Sequence, residues 1–175
     1  SPTAFLVDLC NSVYVSGWGS NIDGNGLSTQ GLDTAGQPFQ GTTDNHDFYL
    51  AVIADDASQL TYGSFIGGSA REHVDGGTSR FDRKGKIYQA VCAGCPAGPA
   101  GSTSDFPTLP NPGAVSNTNN ATGGCNLAVF KMDFLLPIVL ADFTGPSLGC
   151  APFVANFQDL SLSQTTTNYS WTFGD

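Results

Sequence analysis

The chain has 175 residues, 22 of them Gly and 10 Pro, and a formal net charge of −9. So acidic a chain lacks the basic face that a phosphate backbone needs, which excludes nucleic acid as a partner. Its longest apolar run, 134–141, is interrupted by Pro137 and falls far short of the ~20 residues that a membrane-crossing helix requires.

Gly and Pro punctuate turns, and a sequence with one Glu and one Met has little material for solvated helix faces. No window sustains apolar spacing of three and four residues. Alternation is present instead, so the predicted fold class is all-β.

In chain order, the first predicted element runs through Val7-Asp-Leu-Cys-Asn-Ser-Val-Tyr14, an Asp-led turn into a strand with Val13 and Val15 alternating. Trp18, between Gly17 and Gly19, reads as a turn residue open to solvent. The Gly/Ser/Thr-rich connection 20–45 follows. In it Asn21-Ile-Asp-Gly-Asn-Gly26 resembles part of a calcium loop, with Asn21, Asp23 and Asn25 as candidate ligands, but the bidentate Glu that closes such a loop is missing.

Asp47-Phe-Tyr-Leu-Ala-Val-Ile53 has apolar residues at both phases of the alternation, which predicts a strand buried on both faces. Asp55-Asp56 and Asp44/Asp47 could in principle pair for acid–base work. Their setting favours turns, where Asp accepts backbone hydrogen bonds. Leu60-Thr-Tyr-Gly-Ser-Phe-Ile-Gly-Gly-Ser69 predicts an aromatic strand and a Gly-Gly turn. Arg71, Arg80, Arg83, Lys84 and Lys86 then crowd into sixteen residues, which reads as a solvated turn rather than an anion site. The tyrosines Tyr14, Tyr49 and Tyr62 could stack on sugar, but core packing is the more economical reading.

The second half of the chain echoes the first. Asp8 and Asp82, Val13 and Ile87, and Tyr14 and Tyr88 all stand 74 positions apart, whereas Phe48 and Leu127, like Leu50 and Val129, stand 79 apart. A constant spacing within each strand, with the change confined to a loop, is what divergence of a duplicated unit leaves behind.

Cys92-Ala-Gly-Cys95 has the spacing of a redox or zinc motif. His46 and His73 look isolated in sequence, and the Pro/Gly run after Cys95 cannot open a helix. Structural disulfides are therefore expected, with one joining Cys92 or Cys95 to Cys125, and the odd total of five leaves at least one thiol free. No Gly-x-Ser-x-Gly motif or nucleophile–His pairing is present, so no catalytic residue is nominated.

Beyond residue 140 the texture changes. Gly149-Cys-Ala-Pro-Phe-Val-Ala-Asn-Phe157 followed by Trp171-Thr-Phe-Gly-Asp175 resembles the first half of a PKD domain, an immunoglobulin-like module. Asp47-Phe-Tyr-Leu, Leu60 to Gly68, Phe81-Asp-Arg-Lys-Gly-Lys-Ile-Tyr88, Ser104-Asp-Phe-Pro-Thr108 and Cys125-Asn-Leu-Ala-Val-Phe-Lys131 resemble the SBBP β-propeller repeat. The long connections 20–45 and 93–124 depart from the usual repeat.

The resemblance implies a partial β-propeller over 1–136, with copies at about 1–66 and 67–136 and the first entered midway. An incomplete Ig-like sandwich over 140–175 would follow. The alternative is an open two-sheet β-sandwich with a C-terminal extension. It also implies a section of a large Bacteroidetes cell-surface protein exported by type IX secretion, non-catalytic, serving as a stalk, filament or adhesin and in some cases linked to gliding. Expected partners are other modules of the same long chain or filament, and surface glycans. Asp33-Thr34-Ala35 looks like the O-glycan site of such exported proteins, with the sugar on Thr34. A second expectation is a carbohydrate-binding accessory region of a secreted polysaccharide-degrading enzyme.

Overall fold

The polypeptide first reverses at Asp8. Its Oδ1 accepts hydrogen bonds from the backbone N–H of Cys10 (2.8 Å) and Ser12 (2.9 Å). Its own N–H donates to Ser12 O at 3.1 Å. Asn11 takes the left-handed conformation (φ 61°) that closes the turn. The strands on either side are β1 (Pro2–Val7) and β2 (Val13–Trp18), paired antiparallel with Val7 opposite Val13.

This computed structural model describes residues 1–20, 26–75, 79–82, 85–96, 101–110, 112–134, 139–163 and 168–172. Among them the chain is all-β, in antiparallel pairs and without a helix. No helix of the described residues is long and apolar enough to cross a membrane. The chain divides into two units, Ser1–Phe134 and Leu135–Asp175.

In the first unit, β1 and β2 continue into β3 (Phe48–Ile53) and β4 (Leu60–Ile66), a four-stranded sheet in sequence order. The long connection between β2 and β3 returns along the far edge of β4, with bridges Ala35–Gly63 and Gln40–Phe65. Thr34 sits exposed on that connection. The strand β3 is apolar on both faces because both are covered: Phe48, Leu50, Ala51 and Val52 are buried, and Tyr49 and Ile53 half-buried. Trp18 is not in a turn. It is the last residue of β2, paired with Phe48 and half-buried.

The second sheet contains β5 (Arg71–His73), β6 (Ser79–Phe81), β7 (Ile87–Cys95) and β8 (Asn126–Met132). Both β5 and β6 pair with β7, β6 along its start and β5 along its end, while β8 pairs with β7 across the other edge.

The repeat seen in the sequence is reproduced in hydrogen bonds. Asp82 Oδ1 accepts from Lys86 N (3.0 Å), and Asp82 N donates to Lys86 O (2.9 Å). Gly85 (φ 75°) stands where Asn11 stands in the first turn. Phe81 faces Ile87 as Val7 faces Val13, and Ile87 faces Met132 as Val13 faces Ile53. Each of these pairs keeps the spacings of 74 and 79 found in the sequence.

The two sheets pack face to face. Tyr14 meets the ring of Phe81 at 5.9 Å, and Phe48 meets Phe130 at 6.0 Å. Phe134, just beyond β8, lies between Tyr14 and Tyr62 at 5.7 and 5.2 Å. Polar contacts also cross this interface: Ser16 donates to Gln89 Oε1 (3.2 Å), Gln89 Nε2 donates to Thr3 Oγ1 (3.3 Å), and the Tyr62 hydroxyl donates to Met132 Sδ (3.9 Å). Because the buried Gln89 amide is paired on both sides, it fixes the sheets' relative position without an orphaned polar atom.

Equivalent strands use opposite faces. Tyr14, Ser16, Phe48 and Leu50 point into the interface from the first sheet. Their equivalents in the second sheet are Tyr88, Ala90, Leu127 and Val129, which lie on its outer face, since the alternate residues Ile87, Gln89, Val91 and Phe130 fill the interface. Phe48 and Leu50 are 0% exposed, whereas Leu127 and Val129 are both 72% exposed. The sheets are thus related head to tail, each presenting a different side to the shared interface.

The second unit has two short ladders, β9 (Val139–Leu140) with β12 (Leu162–Ser163) and β10 (Phe143–Thr144) with β11 (Gln158–Asp159). Phe143, Phe157 and Trp171 form an aromatic group, with Phe143 and Trp171 edge-on at 5.1 Å. The Ser161 hydroxyl donates to Asp142 O (3.2 Å) and accepts from its N–H (3.1 Å), tying the ladders together.

Candidate functional site

The chemistry-bearing side chains of the first unit gather where β5 meets the end of β7. The pairing of β5 with β7 sets Arg71 opposite Cys95 and His73 opposite Cys92, with an irregularity between them. Gly94, at φ 64°, turns the strand there, and a side chain at this position would collide with the Thr103 carbonyl. Asn119 Nδ2 donates to Gly94 O (3.2 Å), holding the connection 101–119 against the strand end.

His73 is not isolated, contrary to its position in the sequence. Its Nδ1 is 3.6 Å from Cys95 Sγ and its Nε2 is 3.3 Å from Asp75 Oδ2. The Cys92 thiol lies 3.6 Å from that same Asp75 oxygen. The Trp18 ring tilts over the imidazole with centroids 5.9 Å apart. Burial, and then the Asp75 carboxylate, push the Cys92 thiol above the ordinary thiol range. Of the candidate cysteines, Cys95 is bonded to Cys125, and Cys92 is free together with Cys10 and Cys150.

Beneath this cluster two carboxyl groups are buried. Glu72, the only Glu of the chain, is fully buried, and burial raises its pKa to about 8. Its Oε1 accepts from Gly94 N at 3.4 Å, while Oε2 has no hydrogen-bond partner among the described residues. Asp47 is equally buried and also raised, again chiefly by burial. Its Oδ2 accepts from Asp44 N at 3.2 Å, and Oδ1 is unpartnered among the described residues. Both unpartnered oxygens face Gly67, where any side chain would collide with them. Gly is required at 67 for space, not for backbone conformation.

The other acidic candidates are turn residues. Asp56 Oδ1 accepts from Ser58 N (2.9 Å), and Asp44 Oδ1 from His46 N (2.9 Å). Lys86 pairs with Asp133 at 2.7 Å, and Arg71 is half-buried, so the basic cluster is partly structural. The proposed calcium ligands Asn21, Asp23 and Asn25 lie outside the described residues.

A groove of about 830 Å³ runs beside β8, lined by Phe39, Ile66, Phe106, Leu109 and Phe130 among others. The charged residues of its described lining are Lys131 and Asp133, the latter already paired with Lys86. It has a binding groove's apolar walls but no converging acid and base.

The histidine–cysteine association escaped the sequence because β5 is three residues long and its partner lies some twenty positions downstream. The usable signal was Arg71-Glu-His73: the sole Glu beside a His, in a chain otherwise served by Asp. Comparison with protein-family models, curated proteins and solved structures returns no match for this chain.

Proposed function

We propose that this chain is a section of an extracellular scaffold built from stacked β-sheets, structural or adhesive in role and non-catalytic. The observation that carries the proposal is the head-to-tail relation of two register-matched sheets. A face that is buried in the first sheet carries exposed apolar side chains, Tyr88, Leu127 and Val129, in its equivalent in the second, with Arg80 and Lys131 as its strand cations. Units that meet through unlike faces can extend by adding another unit in the same sense, as a two-fold contact cannot.

On this reading residues 1–136 are SBBP-type propeller sheets and 140–175 belongs to a PKD-type module, at the outer surface of a bacterium. The outer face of the second sheet (Tyr88, Leu127, Val129) takes the outer face of a further first sheet (Phe5, Val7, Val13, Val15). The first sheet's residues Val7 and Val13 correspond to Phe81 and Ile87, which fill the existing interface.

Sedimentation velocity over a concentration series tests this. The unaltered chain is expected to associate, and Val129→Asp and Phe5→Asp are each expected to stay monomeric. An equimolar mixture of the two variants should form one-to-one dimers and nothing longer, because each retains the face the other has lost. A wild-type chain that remains monomeric throughout, or a mixture that behaves as its components, overturns the proposal.

A further inference from the structure

We propose that His73, Asp75 and Cys92 form a transition-metal site for which zinc is the natural occupant. The inference is independent of the scaffold reading.

The three donor atoms lie within 4.8 Å of one another. Asp75 Oδ2 is 3.3 Å from His73 Nε2 and 3.6 Å from Cys92 Sγ. For a tetrahedral zinc with metal–nitrogen and metal–oxygen bonds of about 2.0–2.1 Å and a metal–sulfur bond of about 2.3 Å, ligand pairs stand roughly 3.3 to 3.6 Å apart. Two of the three separations already match these values, and the third, from His73 to Cys92, is within 4.8 Å, a small closure away from that geometry.

The donor chemistry agrees. One imidazole nitrogen, one carboxylate oxygen and one thiolate sulfur make a borderline-soft set, suited to zinc and unsuited to calcium or magnesium. The ring orientation is also supported. With Nδ1 turned to Cys95 Sγ at 3.6 Å and Trp18 tilted over the ring, Nε2 is the nitrogen directed at Asp75. Two of the ligands sit on paired strands, with His73 directly opposite Cys92 in the ladder, so the site is mounted on rigid elements. Asp75 is exposed, so the fourth coordination position is open to water or to a ligand donor. Binding displaces the Cys92 proton to solvent.

A second set shares the histidine: His73 with Cys95 and Cys125. Those two sulfurs are joined in a disulfide and so cannot act as thiolate ligands.

The test is titration of the chelator-treated 175-residue chain with Co²⁺, followed by displacement with Zn²⁺. The expected result is one equivalent bound per chain, with visible d–d bands and a thiolate-to-cobalt charge-transfer band, both removed by zinc. Cys92→Ser should abolish the charge-transfer band, and Asp75→Asn, which removes a direct carboxylate ligand, should weaken binding by more than the about 10–100-fold that loss of an outer-shell partner costs. The double variant Cys10→Ser/Cys150→Ser should bind as the wild type does. Circular dichroism of each variant separates loss of the site from loss of the fold. A folded Cys92→Ser chain that keeps the charge-transfer band overturns the assignment. So does a band that arises only after reduction and is lost in Cys125→Ser, which would place the metal at the other set. Absence of any thiolate band in the wild type overturns it outright.

Discussion

The strands β1, β2 and β3 and the strands β6, β7 and β8 are the same piece of architecture in two environments. Turn hydrogen bonds, the left-handed residue at the turn and the pairing register coincide at every matched position. What differs is which face is covered. In the first copy β3 lies between β2 and β4 and under the second sheet. In the second copy β8 has β7 on one edge and an outer face open to solvent. Backbone geometry is therefore local and inherited by both copies, whereas burial belongs to the stacking order. The same residue type at equivalent positions is core in one copy and surface in the other.

The largest test of that contrast is a matched pair of truncations. Leu50→Ala removes a fully buried side chain from between the sheets and should cost about 4 kcal/mol, the loss of transfer energy plus a cavity. Val129→Ala, at the equivalent place, should change stability by less than about 0.5 kcal/mol. Urea denaturation of both variants, kept dilute enough to be monomeric, gives the two values. Comparable losses would mean that the outer face of the second sheet is covered.

The copies also differ at the far end of their central strand. The end of β7 is fastened by Cys95–Cys125, across a sequence separation of 30, whereas β2 ends at Trp18 without a covalent tie. A cross-link of that span restricts the unfolded chain by about 3–4 kcal/mol on the loop-entropy account. Cys95→Ala/Cys125→Ala should lower the urea midpoint by that equivalent and leave the spectroscopic signature of the first sheet intact. An unchanged midpoint would show that the connection 101–119 holds the strand end by its hydrogen bonds alone.

Much of this was legible in the sequence, and the limit is instructive. The alternation of Phe48 to Ile53 located β3, the aromatic run from Leu60 located β4, the echo of the first half located β7 and β8, and the Asp-led turns marked where the hairpins reverse, because strand period and turn chemistry are properties of neighbouring residues. The two-phase apolar pattern of Phe48 to Ile53 correctly implied cover on both sides. What the pattern could not supply was any relation between distant segments. Trp18 read as a turn because Gly flanks it, yet pairing with Phe48 keeps it in a strand. His73 read as solitary because its neighbours, Cys92 and Cys95, reach it only through the ladder between β5 and β7. The same long-range pairing buries Glu72 and carries Gln89, a polar residue at a core phase, to its partners Ser16 and Thr3.

A smaller contrast lies at the left-handed turn residue. Gly85 and Asn11 share the conformation, but a side chain at 85 would strike the ring of Tyr14, while Asn11 is exposed. Gly85→Ala should cost about 2 kcal/mol, from the unfavourable φ together with displacement of a core ring. Asn11→Gly should fall within about 0.5 kcal/mol of the wild type, since Gly adopts that φ freely but loosens the unfolded chain. Equal and small effects at both sites would mean that the Tyr14 ring can move aside, which the close packing of Phe81 and Phe134 around it argues against.

The smallest difference concerns the Asp that leads each turn. Asp8 Oδ1 takes two backbone donors, from Cys10 and Ser12, both in a solvent-exposed or half-exposed setting. Asp82 divides its carboxylate between Lys86 N through Oδ1 and the Tyr88 hydroxyl, 3.4 Å from Oδ2. Hydrogen bonds of this kind contribute about 0.5–1.5 kcal/mol net, and water replaces part of each when the acceptor is removed from an exposed turn. Asp8→Ala and Asp82→Ala should therefore each cost about 1 kcal/mol, and because the turns lie on different sheets and the two carboxylates accept from different backbone donors, the double variant should cost their sum within about 0.5 kcal/mol. A coupling clearly beyond that margin would show that the two turns are stabilised jointly through Tyr14, which packs from the first copy onto Gly85 and Phe81 of the second.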